Sequence, residues 1–280
     1  MSVLAVAVSG RGLIDPATPV LRADDEAFLR GRAVFETVRV YDGRPYRLAE
    51  HLARLASSAA ALGLGSPDRG DLEVLAALAV GAGGRPDQSL RLFWTPSAMA
   101  LALASEIPSW IAEAQRRGIR AVTLRWPRGD APWLLGGVKS TSYAANLAAE
   151  DEARRRGADD AILVDADTTV LEGPVTNIWW RRGRRLYTPS LDLGILAGVT
   201  RHAVLELAPG LGYEVEEGSY PLAEALGADE LFTSSSVREL VPVVSVDGAP
   251  TERGPASAEL LAAIRADAAR SSTGPRATSA

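Results

Sequence analysis

The sequence predicts a mixed α/β (α+β) protein built as two halves, and three observations carry that expectation. The chain has 280 residues and is 47% hydrophobic, enough for more than one sizeable core. Period-two apolar runs alternate irregularly with period-3.6 runs, which fits neither an all-helical nor a regular βαβ design. A Pro- and Gly-rich stretch, PRGDAPWLLGG at 127–137, interrupts the pattern near the middle.

In chain order, residues 1–9 (MSVLAVAVS) read as a first strand; they lack the basic flank and the length of a signal peptide. Residues 33–41 (AVFETVRVY) alternate and are rich in β-branched residues, a half-buried strand that Asp42-Gly43 turns into a hairpin. Leu48, Leu52, Leu55, Ala59 and Leu62 make a helical stripe, with His51, Arg54 and Ser58 on the adjoining face and Gly63 and Gly65 as the stop. A helix is expected near 71–82, a strand at 89–94, a short strand or helix within 104–118, and a strand at 119–126. A helix over 144–156 ends at Gly157. Short strands are expected at 161–164, 170–172, 177–180 and 186–187, the last two joined through Gly183. A helix over 199–207 opens on Gly198, and strands at 213–216, 230–232 and 240–246 precede a closing helix at 260–269. The implied organisation is a smaller N-terminal unit over 1–120, a connecting segment over 121–136, a larger unit over 137–270 and a frayed polar tail over 271–280.

Composition removes several function classes. With 30 basic and 35 acidic residues the net charge is −5, which argues against a nucleic-acid or anionic-membrane binder. With no Cys there is no disulfide, thiolate metal site or Cys nucleophile, and with two His, His51 and His202, no three-His metal site. No apolar run reaches the 18 or so residues of a membrane span, so a cytoplasmic protein without a metal is expected.

The basic residues comprise 29 Arg and one Lys, Lys139. A coding bias toward Arg explains the excess but not the exception. Lysine can lose its proton and attack a carbonyl to form a Schiff base, which Arg cannot. Lys139 lies in GGVKSTSY, with Tyr143 four residues on. Glu172, in LEGPVTN, places a carboxylate where a strand meets a turn and could hold a proton on a heterocycle. Gly198-Val199-Thr200-Arg201 opens a helix, whose free N–H groups bind phosphate. Ser234, Ser235 and Ser236 offer hydroxyls after a strand, and Arg54 offers a bidentate fork. Singly, each is also consistent with an ordinary surface or cap residue. Together, one amine, one acid and several anion donors match a cofactor that is an aldehyde, a pyridine and a phosphate: pyridoxal 5′-phosphate.

These residues resemble the class IV (fold-type IV) pyridoxal-phosphate enzymes, which include D-amino acid aminotransferases, branched-chain aminotransferases and aminodeoxychorismate lyases. The likeness runs over about 29–248, through VFETVRVYDGRPYRLAEHLARL, KSTSY, LEGPVTNIW, LYTPSLDLGILAGVTR and DELFTSSSVRELVPVVSVDG. It implies two α/β domains with the cofactor in the cleft between them, and a homodimer. It implies Lys139 as the Schiff-base and proton-shuttling lysine, Tyr143 near the phenolic oxygen, and Glu172 on the pyridinium nitrogen. It places Arg54, Val199, Thr200 and Ser236 on the phosphate. Asn177 matches a recurrent Asn to which no direct chemistry is assigned.

The resemblance also implies small amino and keto acids as partners, and transamination, of D-amino acids first, to an acceptor such as 2-oxoglutarate or pyruvate. Aminodeoxychorismate lyase is the alternative, followed by an L-branched-chain or (R)-amine transaminase. Phe35 replaces a carboxylate-binding Tyr of D-amino acid aminotransferases, and Thr95-Pro96-Ser97 replaces their Arg-x-His pair. Thr37 and the WLLGGVKS approach look lyase-like. The missing carboxylate partner is expected among Arg30, Arg32, Arg39, Arg91 and Arg238, with Phe35 and Thr37 also lining the substrate side.

Overall fold

The computed structural model describes residues 2–126 and 136–271. Its elements follow the apolar periodicity closely. The first sheet joins β1 (Val3–Val8), β2 (Gly12–Ile14), β3 (Val34–Tyr41), β4 (Arg44–Pro45), β5 (Gln88–Trp94) and β6 (Ala100–Ser105). It is antiparallel throughout, in the order β2-β1-β6-β5-β3-β4. Helix α1 (Glu26–Arg30) lies before β3, and α2 (Leu48–Ala61) and α3 (Arg69–Gly83) follow β4. The α2 stripe, Leu52, Leu55 and Ala59, packs with Leu72, Leu75 and Ala79 of α3 on Val34, Val38, Val40, Leu90 and Leu92 of the sheet.

The second sheet joins β7 (Ile119–Arg125), β8 (Asp160–Val164), β9 (Asn177–Arg182), β10 (Arg185–Pro189), β11 (Glu214–Gly218), β12 (Glu230–Ser235), β13 (Glu239–Val246) and β14 (Ala249–Pro250). Its order is β11-β10-β9-β12-β13-β7-β8, with β14 on β13; the pairs β10–β11, β13–β7 and β7–β8 are parallel. The helices α4 (Trp110–Arg117), α5 (Ala144–Arg155), α6 (Val199–Leu207), α7 (Leu222–Leu226) and α8 (Ala256–Ser271) cover both faces. Strand alternation sorts the aromatics of β9: Trp179 faces α6 and α8 and stacks on Phe232 at 6.2 Å, while Trp180 turns to the other core beside Tyr187 and Tyr220. Among the described residues no helix is long and apolar enough to cross a membrane, and no group of three or more His, Asp or Glu could hold a metal ion.

Three expectations are corrected. Residues 121–125 do not connect two units: they belong to β7, bonded in parallel to β13 and β8 inside the second sheet. The passage between sheets falls after β6, in the short stretch before α4. Residues 170–172 form no strand, because Val170 makes only an isolated bridge to Val164. The serine run is split: Ser234 lies in β12 with its hydroxyl accepting from the Trp179 indole at 2.9 Å, which leaves Ser236 in the turn. Most of the 127–137 stretch and of the 271–280 tail lies outside the described residues.

Candidate active site

Lys139 is stitched to the first sheet by its backbone. Its N–H donates to the Ser58 hydroxyl at 3.2 Å, its carbonyl accepts from Phe35 N–H at 3.1 Å, and Ser140 bridges Val34. The side chain then lies over the Phe35 ring, with Nζ 4.5 Å from the centroid, and 5.8 Å from that of Tyr143. Burial lowers the ammonium pKa, Glu36 opposes this, and Arg54 and Arg91 add to it; the result is about 8, within reach of the neutral amine a nucleophile needs. Phe35 meets Tyr143 edge-on at 5.3 Å. Burial, with the charges of Glu172 and Glu150, raises the Tyr143 phenol to about 12, so it remains a proton donor.

Glu172 approaches from the second sheet. Its Oε2 accepts from Leu196 N–H at 3.0 Å, and its charge is felt by both Lys139 and Tyr143. Asn177 donates from Nδ2 to the Leu196 carbonyl at 2.9 Å. A Cβ on Gly198 would strike Asn177 Oδ1, so a larger residue there would displace the Asn177 amide. Asn177 therefore shapes the loop that opens α6. Gly198 caps α6 without a side-chain bond, and Val199 and Thr200, both buried, form its first turn. The N–H groups of such a first turn have no partner within the helix and are suited to an anion.

Arg54 faces the same place. A cavity of about 560 Å³ is lined by Arg54, Ser58, Val138, Gly198 and Val199 among others. Its guanidinium already bonds Glu36, with Nε on Oε1 and Nη2 on Oε2, both at 2.7 Å, and Nη1 donates to the Ala197 carbonyl at 2.7 Å. His51 Nδ1 is 2.7 Å from Glu36 Oε2. The expected face of α2, His51, Arg54 and Ser58, thus converges on the Lys139 region. Glu36 is absent from the sequence-based candidates. Its signal was a carboxylate in the inward register of Val34, Val38 and Val40.

The substrate-side candidates divide. Phe35 and Thr37 share a face of the first sheet, paired with Phe93 and Arg91. Arg91 Nε is buried without a hydrogen-bond partner, and its charge reaches Lys139. Ser236 is half-buried in the turn between β12 and β13, and Arg39 holds that turn by donating to the Val237 carbonyl at 2.8 Å. Arg238 does not offer its charge to a substrate: it pairs with Asp160 at 2.6 Å and Glu150 at 2.9 Å, because the buried Asp160 carboxylate needs a cation. Arg30 also drops out. Its side chain is 76% exposed beside Glu26, and only its carbonyl meets the Lys139 segment, through Ser142. Arg32 is held by Glu26 and the Leu62 carbonyl.

A buried amine on an aromatic wall, a carboxylate across from it and an anion seat beside it define a carbonyl-handling enzyme of mixed α/β fold. The amino-transferase class IV family model matches residues 33–246. A bifunctional aminodeoxychorismate lyase / D-amino acid transaminase of Mycobacterium tuberculosis is 34% identical, over 91% of this chain and 97% of that protein. A D-alanine aminotransferase of Bacillus licheniformis is 30% identical, over 88% of this chain and 89% of that protein. A solved hypothetical aminotransferase from Mycobacterium tuberculosis, with α-ketoglutarate and PMP bound, superposes with a TM-score of 0.90 at 30% identity, covering 95% of this chain and 99% of that one. The chain belongs to the class IV aminotransferase family and is a pyridoxal-phosphate-dependent aminotransferase. The donor set fits that cofactor: an amine for its aldehyde, a carboxylate for its ring, and an Arg with a helix N-terminus for its phosphate.

Proposed function

We propose that this enzyme moves the amino group of a D-amino acid to a 2-keto acid such as 2-oxoglutarate or pyruvate. One observation carries the substrate chemistry. The unpartnered Arg91 stands beside Thr37 and Phe35, and its charge reaches the Lys139 amine. It gives a carboxylate substrate an ion partner next to the reacting group. The D series rests on likeness to relatives named for D-amino acid and D-alanine transamination.

Pyridoxal phosphate, when bound, supplies a carbonyl to carry the amino group and a ring that draws electrons from the substrate Cα. Lys139 holds the aldehyde and moves the proton at Cα. Glu172 keeps a proton on the ring nitrogen, and the Tyr143 phenol donates toward the phenolic oxygen. Arg54, the Val199 and Thr200 turn and Ser236 bind the phosphate. Phe35 walls the amine from water. A second reading is lyase activity on aminodeoxychorismate; the Thr37 hydroxyl beside Arg91 favours it, as does the double name of the Mycobacterium tuberculosis relative.

We also read the enzyme as a cytoplasmic homodimer of two α/β units with the cofactor between them. Exposed Leu13, Phe28 and Leu29 support a covered N-terminal surface. The test is the visible spectrum of the chain loaded with pyridoxal phosphate. D-alanine should bleach the band and 2-oxoglutarate restore it. No band overturns the role of Lys139. A band that D-alanine leaves intact while L-alanine bleaches it, or one accompanied only by pyruvate release from aminodeoxychorismate, overturns the D-transaminase reading.

A further inference from the structure

We propose that Glu36 is the positioning residue of the phosphate anchor: a carboxylate buried on β3 that fixes the Arg54 guanidinium across the join between the two sheets. The inference rests on the reading above, in which the cofactor phosphate lies against Arg54 and the first turn of α6.

Glu36 interrupts an apolar series. Its neighbours on the inward face of β3, Val34, Val38 and Val40, belong to the core beneath α2, and Glu36 itself is 0% exposed. A carboxylate there is costly unless it is paired and hydrogen-bonded. It has both kinds of partner. Arg54 supplies a two-bond fork, and His51 Nδ1 meets the Oε2 side. Burial keeps His51 from protonating, reinforced by the charges of Arg54 and Lys139. The neutral ring therefore gives its Nδ1 proton to an acceptor-only carboxylate. Burial raises the Glu36 pKa, but Arg54 and then His51 outweigh it, leaving it at about 2 and the group ionised.

The consequence lies at Arg54. Three of its five N–H donors are taken, two by Glu36 and one by the Ala197 carbonyl. The remaining two, one on each terminal nitrogen, belong to a guanidinium that can neither swing nor rotate. Glu36 ties it to the first sheet, and Ala197, the residue before Gly198, ties it to the loop that opens α6. The cavity shared by Arg54, Ser58, Val138, Gly198 and Val199 is where those donors and the open first turn can meet one anion. The rotamer freedom of a long side chain is lost on folding rather than on binding. Glu36 does not touch the cofactor; it acts through Arg54.

The test separates positioning from general damage by using two aldehydes, pyridoxal 5′-phosphate and pyridoxal, which lacks the phosphate. Each is titrated into the wild-type apoenzyme and the Glu36→Gln variant, and the visible band of the bound aldehyde is followed. The dissociation constant for pyridoxal phosphate should rise roughly 10- to 100-fold, the range for a lost charged hydrogen bond, while that for pyridoxal changes by less than about threefold. Equal weakening of both, or no change in either, overturns the proposal. If Glu36→Gln does not fold, Glu36→Asp keeps the charge but withdraws the fork by one methylene. The same phosphate-selective loss, smaller, is then expected, and equal weakening again overturns it. Wild-type protein that captures neither aldehyde would instead overturn the cofactor reading, and this proposal with it.

Discussion

Two arginines whose charges both reach Lys139 make opposite bargains. Arg54 arrives fixed: Glu36 holds its fork and the Ala197 carbonyl a third donor, which leaves two N–H donors held in place. Arg91 arrives with a buried Nε that bonds nothing. One end of the site is thus fixed before any ligand binds, and the other keeps an unmet demand for an anion. The difference suits a permanent cofactor at the first end and exchanging substrates at the second. A resident group gains affinity from donors that need no rearrangement, whereas a guest must be able to leave.

The largest test removes what joins the two ends. Lys139→Ala should lower transamination by roughly 10²–10⁴-fold or more and abolish the visible band, with the far-ultraviolet circular dichroism unchanged. Normal turnover by the variant would sink the comparison entirely, since both arginines are interpreted through their effect on this amine.

Next comes the contrast itself. Arg54→Ala strands the Glu36 carboxylate in the core, and breaking one side of a buried pair costs about 3–5 kcal/mol. Thermal melting should fall accordingly, and pyridoxal phosphate should be held less tightly. Arg91→Ala breaks no ion pair. Its stability should stay within about 1 kcal/mol and its cofactor affinity unchanged, while KM for the keto acid rises roughly 10- to 100-fold. Melting curves and steady-state kinetics on the two variants decide the matter. Equal stability losses would erase the distinction between a fixed end and an open one. Arg238→Ala sharpens it further: this arginine is bonded to Asp160 and Glu150, so its loss should lower stability by about 1–3 kcal/mol and leave KM within about threefold. A large rise in KM would return Arg238 to the substrate.

Much of this geometry is legible in the residues. A single Lys among 29 Arg marks the amine, and the apolar stripe of α2 places His51, Arg54 and Ser58 on one neighbouring face. Gly198 before Val199 and Thr200 marks an uncapped helix start. What escapes is what depends on distant partners. Residues 121–125 look like a connection because their neighbour β13 lies more than a hundred residues on, a pairing no local pattern encodes. Glu36 stands in the inward register of its strand, but the partners that let a carboxylate stay there, His51 and Arg54, come from α2. Arg30, Arg91 and Arg238 are alike as letters; only the fold assigns one to solvent, leaves one unpaired and gives one to Asp160. Asn177 acquires its role only because Gly198 comes against it.

The smallest effect expected is a pH dependence, and it probes the amine that both arginines act on. Burial, opposed by Glu36 and assisted by Arg54 and Arg91, brings Lys139 down from 10.5 to about 8. The amine must be neutral to capture an aldehyde, so the capture rate should rise about tenfold per pH unit below 8 and level above it. The same shift bears on stability with a definite sign. A lysine whose folded pKa lies below its unfolded value binds fewer protons when folded, so its burial penalises the fold at low pH. That penalty is relieved as pH rises from about 8 to 10.5. Stopped-flow mixing of apoenzyme with pyridoxal phosphate between pH 6 and 10 reads the first limb. Arg91→Ala removes one of the charges that lower this pKa, and Glu36→Gln removes the larger of the two, Glu36 and Glu172, that raise it. The midpoint should therefore move up in the first variant and down in the second. Midpoints that do not move, or a wild-type midpoint near 10, would mean that neither end of the site is electrostatically coupled to the amine.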